Sequence, residues 1–149
     1  MARQRGAQDA ALAALACGAV ACNNARLEAS GERIGDPREI ALMLTGAALG
    51  ARTDAEERAR DRLALYHFEP HLKLISTADR VGAERWLHTK GAPEAVLARC
   101  NAVLGPAGER IRLDEPRRDT VVSTQRGLAG TFRVGYAVWV APYIDGGNG

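Results

Sequence analysis

The feature that most constrains the fold is a change of hydrophobic period a little past residue 60. Before it, apolar residues recur at helical spacing: Leu12, Leu15, Ala16, Ala19 and Val20 follow i, i+3, i+4, i+7, i+8. "NNARLEASGERIG" then reads as a loop. A second helix is predicted to start at Asp36-Pro37, with Asp36 as N-cap, Pro37 at the first helical position and Glu39 at capping-box spacing. Its inward stripe would be Ile40, Met43, Leu44, Ala47 and Ala48, ending at Gly50. "TDAEERARDRL" is polar and helix-forming, a short surface helix capped by Thr53 or Asp54. From residue 63 the texture changes. "LALYHF", "LKLIS" and "RWLHTK" are short, apolar or alternating runs separated by turn-like material such as Glu69-Pro70 and Val81-Gly82, and they read as strands.

The rest of the chain mixes both patterns. "APEAVLARCNAVLG" reads as a helix with Pro93 in its first turn and Val96, Cys100 and Val103 inward. "GPAGERIRLDEP" reads as a hairpin or an extended loop. "RRDTVVSTQRGLAG" reads as a helix with Val121, Val122, Gln125, Leu128 and Ala129 on one face. "RVGYAVWV" alternates as a last strand, with Val134, Tyr136, Val138 and Val140 on one side. Strict strand–helix–strand alternation is absent. The predicted class is therefore α+β, an antiparallel β-sheet flanked by helices. A length of 149 residues favours one domain, with a core over about 8–141 and a frayed tail over 142–149.

Composition excludes more than it selects. A net charge of +2, from 20 basic and 18 acidic residues, is too balanced to predict nucleic-acid or anionic-membrane binding. No apolar run is long enough to span a bilayer. The N-terminal stretch loosely mimics a signal peptide, but Gln8 and Asp9 interrupt it and an amphipathic helix explains it better. Three cysteines, Cys17, Cys22 and Cys100, make no disulfide framework and read as reduced thiols. Pro70 breaks the His67/His71 pair, so no metal site is predicted.

The string "HTKGAPE" (88–94) puts a lysine, a glycine, a proline and a glutamate where a strand ends and a helix begins. Alone it fits an ordinary turn. In order with "GDPREIAL" (35–42), "FEPHLK" (68–73) and "GLAGTFRVGYA" (127–137), it resembles the nucleotide-binding (N) domain of P-type cation-transporting ATPases. The lysine-glycine-alanine-proline-glutamate string is that family's recurrent signature, and the helix ending in Cys100 also matches. The resemblance covers roughly residues 8–141.

That resemblance implies an ATP- or ADP-binding cleft. Glu39 takes the place of the glutamate that reaches the adenine amino group. Phe68 takes that of the aromatic that stacks on the ring. Lys73 would lie beside the nucleotide, Lys90 would line the inner end of the pocket, Gly91 would let the backbone approach, and Arg133 would face the phosphates. Five of them have a bland alternative: Glu39 as a capping-box residue, Phe68 as core, Lys73 as a solvated strand lysine, Lys90 as a solvated strand end, Arg133 as a surface ion-pair partner. Asp36 reads as an N-cap rather than a ligand, and Trp86, Tyr136 and Trp139 as packing. The phosphate-wrapping GxxxxGK[ST] loop is absent, so weak ATP binding is expected from an open cleft.

Departures from the family pattern are visible. After Phe68, Pro70 and His71 leave only Lys73 as a basic residue, and "GTFR" stands where glycine-leucine-arginine is usual. No His-Pro dipeptide occurs, which favours the branch of calcium, sodium/potassium, magnesium and proton pumps over heavy-metal pumps. The phosphorylated-aspartate string Asp-Lys-Thr-Gly-Thr and the membrane helices are also missing. The resemblance thus implies a domain on the cytoplasmic face of a larger pump, itself not inserted in the membrane. Its partners would be the phosphorylation and actuator domains, with Mg2+ held mainly by the former, and by itself it would bind ATP without hydrolysing it. Two other readings stay open: an N-domain-like interaction module without nucleotide binding, and a small hydrolase using Asp36 and Glu39 as an acid/base pair.

Overall fold

The computed structural model describes residues 2–105, 108–129 and 137–142. Its centre is an antiparallel sheet in the order β3-β4-β5-β8, formed by β3 (Arg62–Glu69), β4 (Leu74–Val81), β5 (Glu84–Gly91) and β8 (Ala137–Pro142). The three runs read as strands pair in sequence order. β4 and β5 are joined by the two-residue turn Gly82-Ala83, with Val81 opposite Glu84. The register places Ile75 opposite Lys90, Thr77 opposite His88, and Asp79 opposite Trp86. Side chains alternate across a strand, so these six share one face of the sheet.

That face looks onto the N-terminal helices α1 (Ala2–Ala21) and α2 (Pro37–Ala48). Thr77 Oγ1 donates to the Ala21 carbonyl at 3.3 Å, and the Cys22 thiol donates to the Ile75 carbonyl at 3.4 Å. α1 and α2 pack around Val20, Ala25 and Met43, with Leu27, Ile40 and Ala51 against them. The two helices meet closely at Gly46, where an added Cβ would lie 2.4 Å from Val20 Cγ2. Only a residue without a side chain fits that crossing.

Asp36 caps α2, accepting from the Arg38 N–H at 2.8 Å, with Pro37 behind it. Asp54 rather than Thr53 caps α3 (Ala55–Asp61), accepting from the Glu57 N–H at 2.7 Å. The predicted stripe of α2 is only partly right. Met43 and Gly46 are buried, whereas Leu44, Ala47 and Ala48 are exposed, because the helix turns its Glu39–Leu42–Met43–Gly46 side toward α1 and the sheet.

Three further differences appear. The segment read as a loop after α1 holds a minimal hairpin, β1 (Arg26–Leu27) with β2 (Arg33–Ile34). The long helix read over 92–105 stops early: α4 covers only Pro93–Leu97, and the chain turns into β6 (Ala102–Leu104), which pairs with β7 (Arg110–Arg112). Arg118, from α5 (Glu115–Ala129), donates to the Leu97 and Cys100 carbonyls. A charged donor thus replaces the turns that would have continued the helix. Lys73 sits in the turn before β4 with a positive φ of 55°, not in a strand.

No described helix is long and apolar enough to cross a membrane. Among the described residues, no group of three or more metal-ligating side chains converges.

Candidate functional site

Where the N-terminal turn of α2 faces the end of β5, an open cleft of about 540 Å³ is lined by Asp36, Arg38, Glu39, Leu42, Phe68, Lys73, Ile75, Lys90, Gly91 and Ala92. That volume lies in the range of small-molecule sites, about 300–1,000 Å³. Five of the six residues singled out in the sequence, Glu39, Phe68, Lys73, Lys90 and Gly91, line this one cleft. The sixth, Arg133, lies outside the described residues.

The floor is a buried ion pair. Lys90, only 5% exposed, donates from Nζ to Glu39 Oε1 at 2.7 Å. The second oxygen of Glu39 accepts from the Asn24 N–H at 3.2 Å. Glu39 is therefore not the capping-box partner of Asp36. Its carboxylate turns away from its own helix start toward Lys90 and Asn24. A carboxylate offers about four acceptor positions. Among the described residues two are used, which leaves capacity for a further donor entering the cleft.

The lip is exposed. Phe68 ends β3 with 59% of its surface free, so its ring is no core residue. An aromatic face left open beside a carboxylate and two ammonium groups suits a flat, polar-edged ligand. Lys73 projects from the turn opposite and meets Glu94 Oε1 at 3.2 Å, both largely exposed. The Glu94 carboxyl is held below its usual range, first by its own backbone N–H at the start of α4 and then by Lys73.

Gly91 acts differently from the expectation. A Cβ at this position would lie 2.1 Å from the Lys73 carbonyl oxygen and 2.8 Å from Leu74 Cδ2. The close approach its missing side chain allows is that of the β3–β4 turn, locked by the Ala92 N–H donating to the Lys73 carbonyl at 3.2 Å. This glycine holds the lip, with Lys73, against the floor, with Lys90.

Reading the sequence missed a second polar cluster on the same sheet face. Buried Asp79 accepts from Arg62 Nε at 2.5 Å through Oδ1 and from Thr77 Oγ1 at 2.8 Å through Oδ2, and His88 Nδ1 lies 3.0 Å from the same Oδ2. Burial alone would raise the Asp79 carboxyl. The hydrogen bonds from His88, Arg62 and Thr77 outweigh it and hold the group below the usual range. Between the two clusters lies Cys22, whose thiol burial pushes up, only partly offset by the nearby Lys90 charge. Asn23 and Arg58 were missed as well. Asn23 is almost wholly buried, and Arg58 reaches inward from a helix whose sequence reads as polar throughout. No periodicity marks either residue.

Comparison with known proteins identifies the family. A family model of the P-type ATPase cytoplasmic domain N matches residues 11–138. The calcium-transporting ATPase 1 of Lactococcus lactis is 31% identical over 84 residues, 56% of this chain and 10% of the relative. A plasma-membrane-type calcium-transporting ATPase 2 of Arabidopsis thaliana is 33% identical over 86 residues, 56% of this chain and 8% of the relative. A probable cation-transporting ATPase F of Mycobacterium bovis is 31% identical over 114 residues, 72% of this chain and 13% of the relative. The chain spans about a tenth of the length of these relatives. Their names accord with the non-heavy-metal branch inferred from the missing His-Pro pair. With an antiparallel sheet flanked by helices and a family match over nearly its whole length, this chain belongs to the cytoplasmic N-domain family of P-type cation-transporting ATPases.

Proposed function

We propose that this domain holds ATP in the Glu39–Phe68–Lys90 cleft and presents the γ-phosphate to an aspartate on a separate phosphorylation domain. The observation that carries this reading is the convergence of Glu39, Phe68, Lys73, Lys90 and Gly91, from segments up to 52 residues apart in the chain, on one cleft. The adenine ring stacks on the open face of Phe68. Its amino group donates to a free acceptor position of Glu39. Lys90 holds that carboxylate in place, and Lys73 exchanges Glu94 for phosphate oxygens. Arg133 completes the phosphate end. Mg2+ neutralises phosphate charge mainly from the phosphorylation domain, and the actuator domain is the other expected partner.

The lining fits this ligand in kind: one open aromatic ring, one partly satisfied carboxylate and two ammonium groups at different depths. It offers few contacts, so binding is weak and release easy. Among the described residues no serine, threonine or cysteine side chain is hydrogen-bonded to Glu39, and this domain by itself binds nucleotide without turning it over. The test is a calorimetric or NMR titration of the chain with ATP. Saturable binding with amide shifts at Glu39, Phe68, Lys90 and Gly91, weakened in Phe68→Ala and Lys90→Ala, is the expected result. No binding at millimolar ATP would overturn the reading and favour an interaction module. Robust, metal-dependent hydrolysis, abolished by a point change in this chain, would overturn the claim that it only binds.

A further inference from the structure

Glu39 is held from a direction that the nucleotide reading does not explain. The segment after α1 runs beneath the first turn of α2, and buried Asn23 is its centre. The Asn23 Nδ2 donates to the Glu39 carbonyl at 2.9 Å, and its Oδ1 accepts from the Ala25 N–H at 2.8 Å. The second bond fixes which way the amide points, since only the oxygen can accept from a backbone N–H. The next residue, Asn24, gives its N–H to Glu39 Oε2. The same segment is gripped from the far side by Arg58 of α3, which donates to the Asn23 carbonyl and, at 2.9 Å from Nη1, to the Ala25 carbonyl.

Arg58 makes no carboxylate ion pair among the described residues, and its Nε is buried without a hydrogen-bond partner. A partly buried guanidinium in such a position is costly unless its contacts do something. Here both filled nitrogens bind main-chain carbonyls of one three-residue stretch, 23–25. From Arg58 to the cleft the chain of bonds is continuous: guanidinium, Asn23 and Ala25 carbonyls, Asn23 amide, Glu39 backbone, and Asn24 N–H to the Glu39 carboxylate.

We infer that Asn23 and Arg58 are positioning residues for base recognition: they set the main chain and the carboxylate rotamer of Glu39, so that its unused acceptor position faces the 6-amino group of the purine. Neither touches the nucleotide. This rests on the proposed adenine contact of Glu39. Its signature is selectivity rather than affinity. Weakening the brace lets the carboxylate swing, which removes the preference for a donor at purine position 6 and leaves stacking on Phe68 in place.

The experiment titrates the 149-residue chain with ATP and with ITP, whose base carries an oxo group where adenine has its amine. Wild type, Asn23→Ala, Arg58→Ala and Arg58→Lys are compared after a thermal melt shows each to be folded. The expected result is a wild-type preference for ATP of roughly tenfold or more, about one charge-assisted hydrogen bond. That preference falls toward unity in Asn23→Ala and Arg58→Ala, ITP affinity stays within about twofold of wild type, and Arg58→Lys restores part of the preference. Absence of ATP binding, or equal binding of ATP and ITP by wild type, removes the Glu39 contact itself. Wild-type selectivity that survives in folded Asn23→Ala or Arg58→Ala overturns the positioning role alone. If Asn23→Ala does not fold, the two Arg58 variants decide. If Arg58→Ala also unfolds, the brace is structural and the inference falls.

Discussion

Two carboxylates, buried Asp79 of β4 and half-buried Glu39 of α2, meet opposite ends of the same sheet face, and their surroundings differ in a way that separates structure from function. Asp79 is closed in. Arg62, Thr77 and His88 fill three of its roughly four acceptor positions, and its side chain is 10% exposed. Glu39 is about twice as open, at 19%, accepts among the described residues from Lys90 and Asn24, and looks into a cleft whose far wall is an exposed aromatic ring. Saturation marks a carboxylate that holds the fold. Spare capacity beside an open ring marks one placed to meet something else. Burial and charge alone would not have told them apart.

The largest effect expected from this contrast is on stability. Asp79→Ala leaves Arg62 buried beside an unpaired His88, and such a broken pair costs about 3–5 kcal/mol. Chemical denaturation should show that loss, while ATP affinity of the folded fraction stays near wild type. Equal losses of stability and affinity would erase the distinction between the two ends.

Phe68→Ala should do the reverse. The ring is exposed, so unfolding should shift by no more than about 0.5 kcal/mol. Loss of stacking should weaken ATP by about 1–3 kcal/mol, or roughly 5- to 150-fold. A destabilised Phe68→Ala with unchanged affinity would assign the ring to packing.

Strong acid should remove the stability that Asp79 supplies. The Asp79 carboxyl is held below its usual value, so it contributes stability above the unfolded value of about 3.9 and loses it as pH falls through the lower, folded value. Thermal melts between pH 5 and pH 2 should therefore fall more steeply for wild type than for Asp79→Asn. Parallel slopes would mean that the cluster is no better bound than an ordinary surface carboxylate.

The smallest effect belongs to the lip. Lys73 and Glu94 are both exposed, and an ion pair of this kind contributes about 0–1 kcal/mol. Lys73→Ala should leave stability nearly unchanged and lower ATP affinity more at low salt than at high. A loss of affinity independent of ionic strength would point to a shape role for this turn.

Much of the architecture was legible in advance, for reasons of local physics. Strand runs at 63–68, 72–76 and 85–90 alternate or are apolar and lie between turn residues, and backbone sterics make such runs strands almost wherever they pack. Asp36-Pro37 stops and starts a chain by its own geometry, and the structure caps α2 there. The long helix over 92–105 was misread because nothing local in "APEAVLARCNAVLG" stops it. The stop comes from Arg118, which is 21 residues beyond Leu97, and such a contact has no local signature. The stripe of α2 failed at Leu44 and Ala47 for a similar reason: which face is inward depended on Gly46 meeting Val20.

The sequence by itself determined the three central strand runs and where most of the helices begin, that the class is α+β, and, through four ordered motifs, the family and five residues of one cleft. Those are properties of short segments, carried by capping chemistry, side-chain alternation and signature strings. Only the tertiary structure decided that Glu39 turns from its helix start to Lys90, that Gly91 is small for the sake of the Lys73 carbonyl, and that Asn23 and Arg58 stand behind the carboxylate. Each of those rests on groups brought together from distant parts of the chain. A hydrogen bond's partner is set by distance and angle in the folded state, and no period or composition encodes it.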